Sequence, residues 1–447
     1  MKNKKRFILI VLVCITVTTT TLIALLSFKS PAKPVIIKGS AEQPEEGCVF
    51  KTIFEAEKID SQFIYKTPAK VEQSIEQALE WIMKAQLNSG GWGAGSHDSQ
   101  NVKNPHEVPA DPATTALVAM ALLRTDNTPA SGKYSTQLNK AMNYLIVAVE
   151  NSPENDLNIT SEVSTQPQIK LGNNIDVILT SQFLTNVLSY LAENPQQQKR
   201  VKKCLDKCVA KIQRGQDSNG RMQNGGWAGV LQSSLANNAL ETASFNGAAV
   251  DTVALNKSRE YQKSNYDTKS GSIATEDAAG IMLYSISGTS RATANESRIA
   301  KDNIEKAKQE GKLNKDEKVT TDNLIKAGMS KTEAYKYAAA YEINEAANAM
   351  AQEETVMSGF GNNGGEEYLS YLQTGEGMIM GKNTGWKKWY DNMGGRLLKI
   401  QNNDGSWHGH HCITSPVFCT ATCLLILSVN NDVQELLSQG AKNVGQH

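Results

Sequence analysis

Apolar residues at positions 71, 75, 78, 79, 82 and 85 recur every three to four residues, which predicts a helix over residues 71–87. A polar turn at 88–95 ends it, and Asp111-Pro112 then marks the start of a second helix through the apolar run 113–123. The aspartate can accept an otherwise unpaired backbone N–H, and the proline sits where its missing N–H costs nothing. The same spacing predicts helices over 138–149, 175–191 and 201–212, and the apolar stretches 230–254 and 274–285 read as core helices. Residues 297–329 carry sparse apolar positions among Lys, Glu and Asp, which predicts solvated helices at the edge of the body. A helix over 331–357 is interrupted by the sequence SGFGNNGG at 358–365, another follows Glu366-Glu367, and Ser415-Pro416 starts the last one. No alternating apolar and polar pattern of useful length occurs, so the expected fold class is all-α.

One sentence recurs within this pattern: helix end, Gln, Gly-containing turn, Trp, then a second helix. It stands at Gln86-Leu-Asn-Ser-Gly-Gly91-Trp92 and at Gln401-Asn-Asn-Asp404-Gly405-Ser-Trp407. A looser copy is read at Gln213 with Gly225-Gly226-Trp227. The first two segments, which both read Q-x3-G-x-W, resemble the Gln- and Trp-bearing repeat of the squalene/hopene cyclases and the protein prenyltransferase β-subunits. The resemblance implies an α/α toroid over residues 69–435, built of repeated helix pairs around a central cavity. It also implies that Gln86, Gly91, Trp92, Gly226, Trp227, Gln401, Asp404, Gly405 and Trp407 are scaffold. Glycine permits the tight reversal, tryptophan buries a large area, and glutamine meets unpaired backbone groups.

The chain departs from that family where the chemistry would lie. No two aspartates are adjacent or one residue apart, so neither D-x-D-D nor D-D-x-x-D is present. Aromatic residues make up 6%, few for a cavity meant to stabilise carbocations. The expected function is therefore the binding of an apolar ligand (a lipid, an isoprenoid or a peptide) by a toroid without the family's catalytic acids. The alternative is a divergent cyclase or prenyl-transfer enzyme, or a metal-assisted one using the loop 408–412.

Composition and charge bear on place and partners. Lys2, Lys4, Lys5 and Arg6 precede residues 7–28, which carry no charge. Twenty-two residues span roughly 33 Å as a helix, enough to cross a bilayer, and the basic head favours the cytoplasmic side. Residues 1–28 are thus read as a signal anchor or signal peptide, 29–68 as a linker and 436–447 as a tail. The bulk of the chain is expected outside the cytoplasm, anchored or secreted, and periplasmic if the source is bacterial. Forty-six basic and forty-six acidic residues cancel, which argues against a nucleic-acid partner.

Three of the six histidines fall within Trp407-His408-Gly-His410-His411-Cys412. Imidazole and thiolate are zinc donors, so His408, His410, His411 and Cys412 are the candidate metal ligands and zinc the candidate cofactor. Glu366 and Glu367 are expected to point about 100° apart and not to share a target, with one of them capping the preceding turn. Asp206-Lys207-Cys208 has the dipeptide spacing of the prenyltransferase zinc site but falls inside a predicted helix. Cys48, Cys204, Cys208, Cys412, Cys419 and Cys423 are expected mostly as buried thiols.

Overall fold

Both Asp-Pro and Ser-Pro signals start helices. Asp111 Oδ1 accepts the Thr114 N–H at 2.8 Å ahead of α2 (Pro112–Arg124), and Ser415 Oγ accepts the Phe418 N–H ahead of α15 (Pro416–Leu427). The computed structural model describes Phe63 and residues 65–361, 363–433, 436 and 437. The N-terminal span expected at 7–28 lies outside these residues. Among the described residues no helix is long and apolar enough to cross a membrane.

The protein is all-α. The remaining helices are α1 (Ala69–Lys84), α3 (Ser135–Asn151), α4 (Gln166–Lys170), α5 (Ile175–Val187), α6 (Pro195–Arg214), α7 (Gly229–Phe245), α8 (Thr252–Ser264) and α9 (Met282–Gln309). They are followed by α10 (Thr321–Lys326), α11 (Lys331–Met350), α12 (Glu354–Met357), α13 (Gly365–Met380) and α14 (Trp386–Ile400). Strand among the described residues is limited to a two-residue hairpin pairing Tyr266–Asp267 with Ser272–Ile273.

Composition sorts the long helices into two kinds. In α2, α5, α7, α13 and α15 nearly every residue is buried, as expected of helices apolar or small on all sides. The helices α1, α3, α6, α8, α11 and α14 instead bury one stripe; in α6 it is Val201, Cys204, Leu205, Cys208, Val209 and Ile212. The buried helices pack in a circular order: α2 on α5, α5 on α7, α7 on α9, α9 on α13, α13 on α15, and α15 back on α2. One striped helix backs each of them, α3 on α2, α6 on α5, α8 on α7, α11 on α9, α14 on α13 and α1 on α15.

The two strong copies of the repeated sentence are superimposable in their hydrogen bonds. The indole Nε1 of Trp92 donates to Ile82 O at 2.8 Å and that of Trp407 to Leu397 O at 2.9 Å. Their backbone N–H groups donate to Thr115 Oγ1 and Thr420 Oγ1, both at 2.9 Å. Gln86 Nε2 donates to Gly90 O and Gln137 O; Gln401 Nε2 donates to Gly405 O and Ser74 O. Each glutamine thus ties its own turn to the next outer helix round the circle, α3 for Gln86 and α1 for Gln401. Asp404 stays at the turn, its Oδ1 accepting from the Ser406 N–H at 3.0 Å.

The third copy lies in a different register from the one read in the sequence. Gly220 adopts φ +88°, matching Gly90 at +88° and Gly405 at +92°. The bond from Asp217 N–H to Arg221 O matches those from Leu87 to Gly91 O and from Asn402 to Ser406 O. The copy is therefore Gln216–Gly220–Met222, with Met222 buried at the tryptophan's place and its N–H bonded to Ser233 Oγ. Gly226 and Trp227 are not part of it: Trp227 is 52% exposed. Adding a Cβ at Gly220 would place it 2.3 Å from the backbone of Lys257 in a left-handed conformation. Gly220→Ala should cost about 2–4 kcal/mol in urea unfolding, combining left-handed strain with overpacking. Gly247→Ala, at φ +79° with nothing near its Cβ, should cost only about 1 kcal/mol.

The core helix expected at 274–285 and the edge helices expected at 297–329 are reorganised into α9. Its first two-thirds is buried through small polar residues such as Ser285, Ser287, Thr289, Ser290 and Thr293. Its outer end packs Ile299, Ile304 and Ala307 with Leu324 of α10 and Tyr337 of α11 in a second apolar cluster. Phe63 is fully buried and stacks on Trp386, ring centroids 6.4 Å apart.

Candidate functional site

The loop ahead of α15 separates its histidines. His408 Nδ1 lies 3.1 Å from Asn402 Nδ2, and its ring sits 5.3 Å from that of His410, which is exposed. Burial, then the neighbouring His410 and Lys103, push the His408 pKa down. This pair faces a turn. His411 and Cys412 lie elsewhere, beside Glu366, and Cys412 takes φ +56°. One ligand atom each from Glu366, His411 and Cys412 lies within 4.8 Å of the other two. The four-residue set read in the sequence is thus split, and a carboxylate replaces two of its imidazoles.

Glu366 and Glu367 stand in the first turn of α13, and the glycines around them let two loops close over that turn. Gly365 N–H donates to Ile413 O at 3.0 Å. A Cβ at Gly364 would meet His411 Cε1 at 2.9 Å, and one at Gly409 would meet Ile413 O at 2.1 Å. Glu367 accepts the N–H groups of Phe360 at 2.6 Å and Gly364 at 2.7 Å, the capping role foreseen for one of the pair. Glu366 accepts from Ile413 N–H at 3.3 Å and from Tyr284 Oη at 3.4 Å. The expectation that the two carboxylates would not share a target is overturned. Glu366 Oε1 lies 3.5 Å from His411 Nδ1, and Glu367 Oε2 lies 3.9 Å from Nε2 of the same ring. Diverging side chains reach one imidazole because the loop inserts that ring between them.

Burial dominates the electrostatics. Glu367 is pushed up to about 7 by burial and by the charge of Glu366, against the pull of its two N–H donors and His411. The Cys412 thiol is raised by burial first, then by the charge of Glu366 and its hydrogen bond to that carboxylate. It is therefore a neutral thiol and not a thiolate nucleophile at neutral pH. Burial also raises Cys208, Cys419 and Cys423, which with Cys204 are free and buried as expected. Asp206-Lys207-Cys208 lies in α6 and takes no part in the cluster.

Aromatic groups cover the cluster from outside. The Phe360 ring lies 4.9 Å from His411, and Trp227 lies 6.3 Å from Phe360 with Lys170 Nζ 4.4 Å over its face. Both aromatics are 52% exposed. Beneath them a pocket of ≈ 10 Å³, walled also by Ile281 and Tyr284, reaches Glu366 and Cys412. Trp227 is thus part of this cover and not of the scaffold expected for it, and Phe360, which no sequence motif marks, stands within the glycine run 359–365.

A second cavity of ≈ 90 Å³, partly open, is lined by residues of α2, α5, α7, α9, α13 and α15. Leu117, Leu179, Leu235, Leu369 and Leu425 supply its apolar wall. Gln182, Asn186, Asn238, Arg291 and Gln373 supply a polar one. Asn238 Nδ2 donates to Gln373 Oε1 at 3.2 Å, which leaves Asn238 Oδ1, Gln373 Nε2 and Arg291 Nε buried without a hydrogen-bond partner. The sequence reading passed over these amides, although Gln182 and Asn186 stand four residues apart on α5 and Asn238 follows Asn237 on α7. No family model matches the chain, and no curated protein matches it.

Proposed function

We propose that the chain is an α/α toroid of the squalene-cyclase and prenyltransferase-repeat type, exported and anchored by its N-terminal segment, that binds one amphipathic ligand in its central cavity. The circular packing of α2, α5, α7, α9, α13 and α15 supports the toroid, and so do the matched staples at Trp92 and Trp407. The uncharged run 7–28 behind a basic head supports the anchor. The observation that carries the binding reading is the two-faced wall of the cavity. Buried polar atoms left unpaired cost about 1–3 kcal/mol each, and a ligand hydroxyl or amide would recover that cost at Asn238 and Gln373.

This refines the apolar ligand expected from sequence to a lipid or isoprenoid with a hydrogen-bonding end. A volume of ≈ 90 Å³ is well below the roughly 300–1,000 Å³ of pockets that enclose drug-sized ligands, so the ring takes that end and not a whole squalene. The cyclase alternative finds little support, because among the described residues Tyr190 is the one aromatic lining the cavity. Native mass spectrometry of the full chain in its membrane fraction tests the reading. An organic molecule should co-purify near one per chain, and Asn238→Leu should raise its dissociation constant about tenfold, equal to one lost hydrogen bond of about 1.4 kcal/mol. A wild-type spectrum with no adduct, from folded protein, would overturn it.

A further inference from the structure

We propose that Glu366, His411 and Cys412 form a zinc-type divalent metal site, distinct from the central cavity and independent of what that cavity binds. The donor set is one carboxylate oxygen, one imidazole nitrogen and one sulfur. A thiolate in the set disfavours calcium and magnesium, which take oxygen ligands, and suits zinc. Tetrahedral zinc with bonds of about 2.0–2.3 Å needs its ligand atoms roughly 3.3–3.8 Å apart. Here they lie within 4.8 Å of one another, so rotamer adjustments of about 1 Å close the set without moving a helix.

Three observations favour a metal over a plain hydrogen-bonded turn. Glu366 and Glu367 are 2% and 0% exposed, and among the described residues the one cationisable side chain within ion-pair distance of either is His411. Two buried carboxylates facing one imidazole and one thiol are short of positive charge, and a divalent cation supplies it. Cys412 also holds a left-handed backbone, which costs a residue with a Cβ about 1–2 kcal/mol and brings its sulfur to the same point as Glu366 and His411.

The surroundings fit the outer shell of such a site. With one ring nitrogen of His411 on the metal, the other faces a glutamate, Glu366 at 3.5 Å or Glu367 at 3.9 Å. Glu366 serves as ligand, which leaves Glu367, pinned by the Phe360 and Gly364 N–H groups, to orient the imidazole through Nε2. Three protein ligands leave a fourth position open toward the pocket under Trp227, Phe360 and Tyr284. Binding is written as M²⁺ + Cys412–SH → M²⁺–S–Cys412 + H⁺, so each metal taken up releases the thiol proton.

The test uses the full chain without a histidine tag, stripped with chelator and titrated with Co²⁺, then with Zn²⁺. One equivalent of Co²⁺ should give a thiolate-to-metal charge-transfer band and release about one proton, and Zn²⁺ should displace the band. Cys412→Ser should abolish the band, and Glu367→Gln should weaken binding about 10–100-fold. His408→Ala and His410→Ala should leave affinity unchanged. One equivalent of Zn²⁺ should also slow alkylation of Cys412 in the wild-type protein, a readout that needs no variant to fold. No stoichiometric metal, a band that survives Cys412→Ser, or Cys412 alkylation indifferent to zinc would each overturn the proposal.

Discussion

Trp407→Ala and Trp92→Ala should each lower unfolding free energy by about 3–5 kcal/mol, while Trp227→Ala changes it by less than about 0.5 kcal/mol. The first two indoles are fully buried at matching seams between an outer helix and the next inner one. Truncation there leaves a cavity and strands a carbonyl: Leu397 O in one case, Ile82 O in the other. Phenylalanine at either position keeps most of the volume and removes only the N–H, so Trp407→Phe should cost about 1–2 kcal/mol, the share owed to the orphaned carbonyl. Trp227 lies half in solvent and anchors no helix end. Urea unfolding of the three alanine variants measures this directly. Equal losses at all three positions would mean that Trp227 is a third staple, contrary to the register set by Gly220 and Met222.

The contrast among these tryptophans shows what a single chain discloses. Asp111-Pro112 and Ser415-Pro416 were legible because N-caps act locally, on N–H groups three residues away. The outer helices α1, α3 and α6 were legible because each buries one apolar stripe against the body. The inner helix α9 was not, since a helix crowded on all sides can be filled by Ser, Thr and Gly, which carry no hydrophobic signal. The third turn was misread because Gly220, Gly225 and Gly226 offer two registers, and the exposed Trp227 marks the wrong one. For the candidate site, the sequence supplied His411 and Cys412 by proximity but could not supply Glu366, which stands far earlier in the chain at the start of α13. Nor does a cysteine announce the left-handed φ of +56° that Cys412 adopts in the cluster.

The other large effect is expected where the circle of helices closes. Arg124, at the end of α2, donates to Glu376 of α13 at 2.7 Å, to Leu425 O of α15 at 3.0 Å, and to Asp432 beyond α15. One guanidinium thus joins the first inner helix to the last two, at the rim of the cavity. Its burial alone would favour the neutral form, but Asp432 and Glu376 outweigh that and hold it charged. Arg124→Met should cost about 3–5 kcal/mol at pH 7, because it leaves two largely buried carboxylates facing each other without a cation. The triple change Arg124→Met, Glu376→Gln, Asp432→Asn should recover most of that loss. Acid should also narrow the deficit of the single variant. Burial already raises the Asp432 pKa in the wild-type protein, and losing the arginine removes the charge that opposes this rise. A carboxyl whose folded-state pKa lies above its unfolded one binds more protons when folded, so stability grows as pH falls through the interval between the two. Unfolding of the variant and wild type between pH 7 and about 5 should therefore converge. A deficit that is constant with pH would mean that the lost stability came from the arginine's packing alone.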